Sequence, residues 1–376
     1  LLKKGYTFAS QTDTEVAAAL LDSYYADAAK RGMEPRERAL DAIRNMMIRV
    51  RGSYAFGILF GDQPGAIYAA RKDSPLILGR CDGEYQGYMI ASDVPAVLNY
   101  TRNVVYIDNQ EIACLTRDEL HVYNIDCEEI EKPFVEIKWD AAAAEKDGYE
   151  HFMMKEIFEQ PKAVRDTITP RIRNGHIVLD DITLTAEELR RFTKINIVAC
   201  GTAYHVGVVA KYAFEELLRI PVEVDVASEF RYRSMPLDPN GLVIVISQSG
   251  ETADSLAALR LAKKKGLKTL GIVNVVGSSI AREADSVMYT WAGPEIAVAT
   301  TKAYSAQLTA LYMLAMKFAR VRGTIDQEKF AGMLTDLRCL PDQIELLLGQ
   351  KEKIQHFANR YVGARDIFFI GRGIEY

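Results

Sequence analysis

Residues 242–252 read LVIVISQSGET: an apolar run followed by three hydroxyl side chains, a glutamine, a glycine and a glutamate. Behind them stands ADSLAALRLAKKKG, residues 253–266. The apolar run predicts a buried strand. Leu256, Leu259 and Leu261 support a helix that ends in Lys263, Lys264, Lys265 and Gly266, with cations at its negative end and a glycine stop. That helix therefore begins at or beside Thr252. Strand, polar turn and helix form the repeating unit of an open α/β sheet, whose ligands bind outside the carboxyl ends of the strands. Ser247 and Ser249 can donate hydroxyl hydrogen bonds, and Gly250 lets the backbone come close to an anion. Thr252 stands at the free N–H groups and positive end of the helix. This is phosphate chemistry without a basic side chain. Capping of the helix by Ser249 or Thr252 is the simpler alternative. One hydroxyl suffices for that, and three with a glutamine exceed it.

Strands are predicted at 195–199, 222–226, 267–273 and 287–290, alternating with helices through Val209, Phe214 and Leu217, over 252–265 and over 302–319. The pattern predicts a doubly wound, mostly parallel sheet. Two further polar strand-to-helix loops, Cys200-Gly201-Thr202-Ala203-Tyr204 and Val298-Ala299-Thr300-Thr301, can converge with the first on one small phosphorylated molecule. Neither GxxxxGK[ST] nor GxGxxG occurs, so nucleoside triphosphates and dinucleotides are not indicated. Helices follow near 327–348 and 351–361. INIVACGTAY (195–204) aligns with IFFIGRGIEY (367–376), which predicts the start of a second α/β unit.

Upstream the texture differs. The cluster Thr12-Asp13-Thr14 opens a helix with apolar spacing at Val16, Ala19, Leu20 and Tyr24, and Ala39, Ile43, Met46 and Met47 mark another. Short strands then follow at 54–60, 66–70, 76–78, 88–91, 104–107, 111–115 and 120–123, which suggests a layered α+β domain. The polar, alanine-rich stretch after Cys127 reads as a linker. The opening LLKKGYTF reads as a helix end, a glycine stop and a strand, so the chain is expected to begin partway through a domain; with the 367–376 echo, both ends look cut.

The 376 residues carry a net charge of −5 with 26% charged side chains, and no basic block suggests nucleic acid or a membrane surface. Five scattered cysteines without a CxxC pair support neither a disulfide framework nor a zinc site, and a reduced cytoplasm is the simplest setting. No run approaches the roughly 18 apolar residues of a membrane span, nor is there a signal-peptide pattern.

ISQSGET, ACGTAYH, ASEFRYR (227–233), VNVVGSSIARE (273–283) and AGPEIAVATTKAY (292–304) closely resemble the first sugar-isomerase half of the glutamine–fructose-6-phosphate aminotransferase family. GYTFASQTDTEV (5–16), RGSYAFGILF (51–60), ARKDSPLILG (70–79) and IASDVPAVL (90–98) resemble the later part of its glutaminase domain, and KEIFEQP (155–161) the segment joining the two. The resemblance implies an N-terminal-nucleophile glutaminase-like αββα part, residues 1–126, a linker at 127–150, a first sugar-isomerase domain at 151–348 and the start of a second at 349–376. It implies an enzyme that frees ammonia from glutamine, channels it, and converts fructose 6-phosphate to glucosamine 6-phosphate. A homodimer is implied, and no cofactor or metal. Ser247, Gln248, Ser249 and Thr252 would hold the sugar phosphate, Thr202 would contact the sugar, and Val298 and Thr300 would line the same pocket. Asp13 would bind the α-amino group of glutamine; on its own it reads equally as a helix cap.

Members often carry serine at the positions of Ala203 and Thr300. The family's N-terminal cysteine nucleophile, and the lysine, glutamate and histidine of its second isomerase half, have no counterpart in these residues. His205, Cys200, His151, His176 and His356 read as packed or solvated side chains. Binding without turnover is therefore expected of these 376 residues. A non-catalytic sugar-phosphate-binding regulator is the alternative; it would carry a basic helix-turn-helix where residues 1–125 are strand-rich and not basic. A related deglycase or isomerase has no need of the TDTEV segment.

Overall fold

Thr12 sets the first helix: its hydroxyl accepts the Glu15 N–H at 3.4 Å, while the Glu15 carboxylate reaches back to the N–H groups of Ala9 and Ser10, each at 2.7 Å. The Ser10 hydroxyl, which also donates to this carboxylate, together with those two N–H groups holds the Glu15 carboxyl below the usual glutamate range. In this computed structural model, residues 1–83, 86–137, 146–234 and 236–373 are described, and the chain divides into two units, Leu1–Ala141 and Ala142–Tyr376.

The first unit contains helices α1 (Asp13–Lys30) and α2 (Pro35–Arg49). Strands follow: β1 (Tyr54–Ile58), β2 (Ile67–Lys72), β3 (Ile77–Asp82), β4 (Gln86–Ala91), β5 (Asn103–Tyr106), β6 (Ile112–Leu115), β7 (Leu120–Tyr123), β8 (Glu129–Ile130) and β9 (Val135–Glu136). They form two antiparallel sheets, ordered β1-β2-β6-β7-β8 and β4-β3-β5-β9. Successive residues of a strand face opposite ways. Tyr68, Ala70, Ile112 and Cys114 accordingly pack with Ala39, Ile43 and Met46 of the helices, whereas Ala69, Ala113 and Leu115 pack with Leu78, Val105 and Ile107 of the second sheet. The layers are helix, sheet and sheet; the outer helical layer of the expected αββα arrangement has no counterpart among the described residues. On α1 the buried stripe runs through Ala17 and Ala28 rather than through Val16, which is exposed. The expected linker also starts later than residue 127, because β8 pairs with β7 and β9 pairs with β5. Two-residue strands have no period for a sequence reading to detect. Residues 138–145 of that linker lie outside the described residues.

The second unit begins with α3 (Phe152–Ile168) and a hairpin of β10 (Ile172–Arg173) and β11 (His176–Ile177). Its turn is Asn174-Gly175, both at positive φ, 51° and 73°. Asn-Gly is the strongest short hairpin signal, and it went unread in the sequence. Next come α4 (Ala186–Arg191), β12 (Lys194–Ala199), α5 (Thr202–Leu218), β13 (Val222–Val226), α6 (Ala227–Tyr232), β14 (Gly241–Ser247), α7 (Ala253–Lys264), β15 (Lys268–Val273), α8 (Ser279–Glu283) and β16 (Ser286–Tyr289). The chain continues through α9 (Lys302–Arg322), α10 (Gln327–Leu348) and α11 (Lys351–Asn359).

The predicted parallel sheet is present, in the order β13-β12-β14-β15-β16. Leu242, Ile244 and Ile246 of β14 face a core with Phe214, Leu311 and Leu314; Val243 and Val245 face another with Leu256, Leu259 and Phe230. Both faces are thus covered, which is why the strand reads as unbroken apolar sequence. The order reverses between β12 and β14, and that switch point is where an open α/β sheet has its crevice.

The apolar strand expected at 367–370, before the glycine turn at 371–373, is not formed. Residues 367–370 have no strand partner and are 57–95% exposed, and α11 contains no buried residue. Tyr376 lies outside the described residues. Among the described residues no helix is long and apolar enough to cross a membrane.

Candidate functional site

β14 delivers Ser247, 3% exposed, to the carboxyl edge of the sheet. Its Oγ accepts the Gly250 N–H at 3.0 Å and lies 3.0 Å from Thr252 Oγ1. Ser249 Oγ accepts the Glu251 N–H at 3.2 Å. Gly250 is required twice over: its φ is +68°, and a Cβ there would lie 2.0 Å from Ser278 Oγ. The turn is also fastened from outside. Asn274 N–H donates to Gln248 O at 3.1 Å, Ile280 N–H to Gly250 O at 3.0 Å, and Ser279 N–H and Oγ to the Glu251 carboxylate at 2.7 and 2.8 Å.

Thr252 occupies the N-cap position of α7, as the capping alternative requires, yet its hydroxyl makes no capping hydrogen bond. It turns to Ser247 instead. Thr202 is the first residue of α5, preceded by Gly201 at φ +57°, ψ −135°, and no side chain caps this helix either. Two helix N-termini at the switch point therefore keep their first-turn N–H groups free of side-chain caps, an arrangement that favours an anion.

Val298 and Thr300 come from the irregular segment between β16 and α9. Glu156 on α3 accepts the N–H groups of Ile296 and Ala297 at 2.6 and 3.0 Å through Oε1, and Glu295 Oε1 accepts those of Thr301 and Ala303 at 2.9 and 3.2 Å. Burial pushes the Glu295 carboxyl above the usual glutamate range, against the pull of those two donors. Lys302, 2% exposed, pairs with Glu159 at 2.6 Å. The KEIFEQP stretch thus anchors this segment.

The three predicted loops meet. Thr202, Ser247, Gln248, Ser249, Thr252, Val298 and Thr300 line one cavity of about 330 Å³, with Cys200, Gly201, Ala203, Ile246 and Gln307. Val298 stands at the rim, fully exposed. Gln307 is the residue the sequence reading missed; its signal was a glutamine in the α9 stripe of Ala303, Ala306, Ala310 and Leu311. Cys200 Sγ accepts a long 3.9 Å hydrogen bond from Ser255 Oγ, and His205, His151, His176 and His356 are exposed. Among the described residues, no group of three or more His, Cys, Asp or Glu could hold a metal ion.

In the first unit Asp13 is exposed at the first position of α1, and Thr12 takes the capping role that Asp13 was read as able to fill. Thr14 Oγ1 donates to Asp13 Oδ1 at 3.4 Å. A cavity of about 420 Å³ between α1 and β1 is lined by Thr14, Asp22, Tyr25 and Phe56 among others, and Asp13 is not part of it.

A family model described as SIS domain matches residues 188–317, the parallel sheet and its switch-point loops. The chain is 52% identical, over its whole length, to the glutamine–fructose-6-phosphate aminotransferases [isomerizing] of Caldanaerobacter subterraneus subsp. tengcongensis and of Clostridium acetobutylicum, and 44% identical to that of Methanosarcina acetivorans. It spans 60% of the length of each of these relatives. Among solved structures, the C-terminal domain of the glucosamine-fructose-6-phosphate aminotransferase from Francisella tularensis is similar with a TM-score of 0.60 at 38% identity, over 62% of this chain and 66% of that one. Identity thus extends from the helical and antiparallel first unit through the SIS sheet: residues 188–317 form a SIS domain, and the chain is similar over its whole length to glutamine–fructose-6-phosphate aminotransferases [isomerizing].

Proposed function

We propose that the switch-point cavity is a sugar-phosphate site, that its ligand is fructose 6-phosphate or the product glucosamine 6-phosphate, and that the chain is part of a glutamine-dependent amidotransferase. The reaction moves the amide nitrogen of glutamine, as channelled ammonia, onto the sugar, giving glutamate and glucosamine 6-phosphate. One observation carries the reading: a hydroxyl at the α7 N-cap position that leaves its helix uncapped and lies 3.0 Å from the Ser247 hydroxyl in the cavity lining. In this reading the uncapped N–H groups of α7 and the hydroxyls of Ser247, Ser249 and Thr252 hold the phosphate, with Gln248 beside them. Thr202, Val298 and Thr300 flank the sugar.

The first unit is the glutaminase-like part, with Asp13 as the carboxylate for the glutamine ammonium, and residues from 349 onward open a second isomerase domain. A homodimer in the cytoplasm goes with this reading. Charge-assisted hydrogen bonds contribute about 1.5–3 kcal/mol each, so the Ser247→Ala, Ser249→Ala double variant should weaken fructose 6-phosphate binding at least tenfold by calorimetry. Unchanged affinity refutes the phosphate cradle. A polypeptide of these 376 residues, given glutamine and fructose 6-phosphate, should yield no glucosamine 6-phosphate, since the family's reactive residues are not among them; clear product formation would refute that part.

A further inference from the structure

Gln307 sits on the second turn of α9, wholly buried, and neither its Oε1 nor its Nε2 has a hydrogen-bond partner. A buried polar group without a partner carries a cost that a methionine of similar volume would avoid. The same side chain lines the cavity that Ser247, Thr252 and Thr300 enclose. Its chemistry differs from theirs in one respect. A carboxamide offers a donor and an acceptor side by side, each fixed in kind. A phosphate dianion can satisfy only the donor, and would bring negative charge against Oε1. A sugar hydroxyl both donates and accepts, so one or two hydroxyls of a carbon chain can satisfy both ends of the amide.

We propose that Gln307 is a specificity-determining residue of this cavity: its amide hydrogen-bonds the hydroxylated carbon chain of a sugar phosphate, while the 247–252 turn holds the phosphate. The proposal rests on the reading of the cavity as a sugar-phosphate site. It predicts that Gln307 separates a sugar phosphate from a bare phosphate, which a merely structural glutamine does not.

The test is calorimetry on the whole chain with fructose 6-phosphate, ethyl phosphate and inorganic phosphate, for wild type, Gln307→Met and Ser247→Ala. Wild type should bind fructose 6-phosphate at least tenfold more tightly than ethyl phosphate, a comparison that needs no folded variant. Gln307→Met should lose most of that preference, keep its inorganic phosphate affinity within about twofold, and melt no lower than wild type without ligand. A Gln307→Met protein that binds both classes like wild type, loses both equally, or melts lower overturns the proposal while leaving the phosphate site intact. Equal wild-type affinity for the two esters also overturns it. If wild type binds no phosphate compound, or Ser247→Ala changes nothing, the underlying site reading fails and this proposal with it.

Discussion

At the scale of single residues, the candidate site depends on small groups in unusual roles. Gly250 combines a left-handed backbone with an approach to Ser278 that leaves no space for a methyl group. Gly250→Ala should therefore cost at least ~2 kcal/mol, from a backbone penalty of about 1–2 kcal/mol plus the clash. Urea unfolding measures it. Ser278→Gly in the same protein should recover the steric part and not the backbone part, and full recovery would show that φ carries none of the cost. Much of this was legible beforehand: the glycine, the hydroxyls and their place before a helix were visible in ISQSGET. The choice between capping and ligand binding was not, because it depends on where the Thr252 hydroxyl points. Gln307 stayed hidden because an isolated glutamine in a helical stripe has no motif around it.

At the scale of elements, the segment between β16 and α9 has no regular structure and keeps its shape through buried carboxylates. Glu295 is the informative one, because burial raises its pKa above the ordinary 4.5. The folded state then holds the proton more tightly than the unfolded state. Its contribution to stability is full below pH 4.5 and is lost as pH rises through the folded value. Glu295→Gln keeps an acceptor for the Thr301 and Ala303 N–H groups without a buried charge. At pH 7 it should be at least as stable as wild type, with a flatter acid-to-neutral profile. Glu295→Ala strands two donors and should lose ~1–3 kcal/mol. Thermal melts across pH 4–8 separate these outcomes, and an unaltered profile in Glu295→Gln contradicts the assignment. The buried parallel strands and long amphipathic helices were read correctly because their patterns extend over many residues. β8 and β9 were not, since long-range pairing shapes them. The strand expected at 367–370 had the right composition, but a strand also needs a neighbour to pair with.

At the scale of the molecule, each unit keeps its own apolar core. The clusters around Tyr68 and Leu78 lie within residues 1–141, and those around Ile244 and Val245 within residues 142–376. A polypeptide of residues 146–376 should therefore fold cooperatively by circular dichroism and bind fructose 6-phosphate within about threefold of the whole chain. Failure to fold would show that the first unit supplies part of the second unit's stability. The two-part organisation was legible in the change from short antiparallel strands to strand–helix alternation. The central claim is that the cavity at the carboxyl ends of β12 and β14 holds a sugar phosphate, and a crystal structure with fructose 6-phosphate tests it most directly. The account predicts phosphate oxygens about 3 Å from the hydroxyls of Ser247, Ser249 and Thr252 and from the first-turn N–H groups of α7. A sugar phosphate bound elsewhere, with this cavity holding only water, would contradict it.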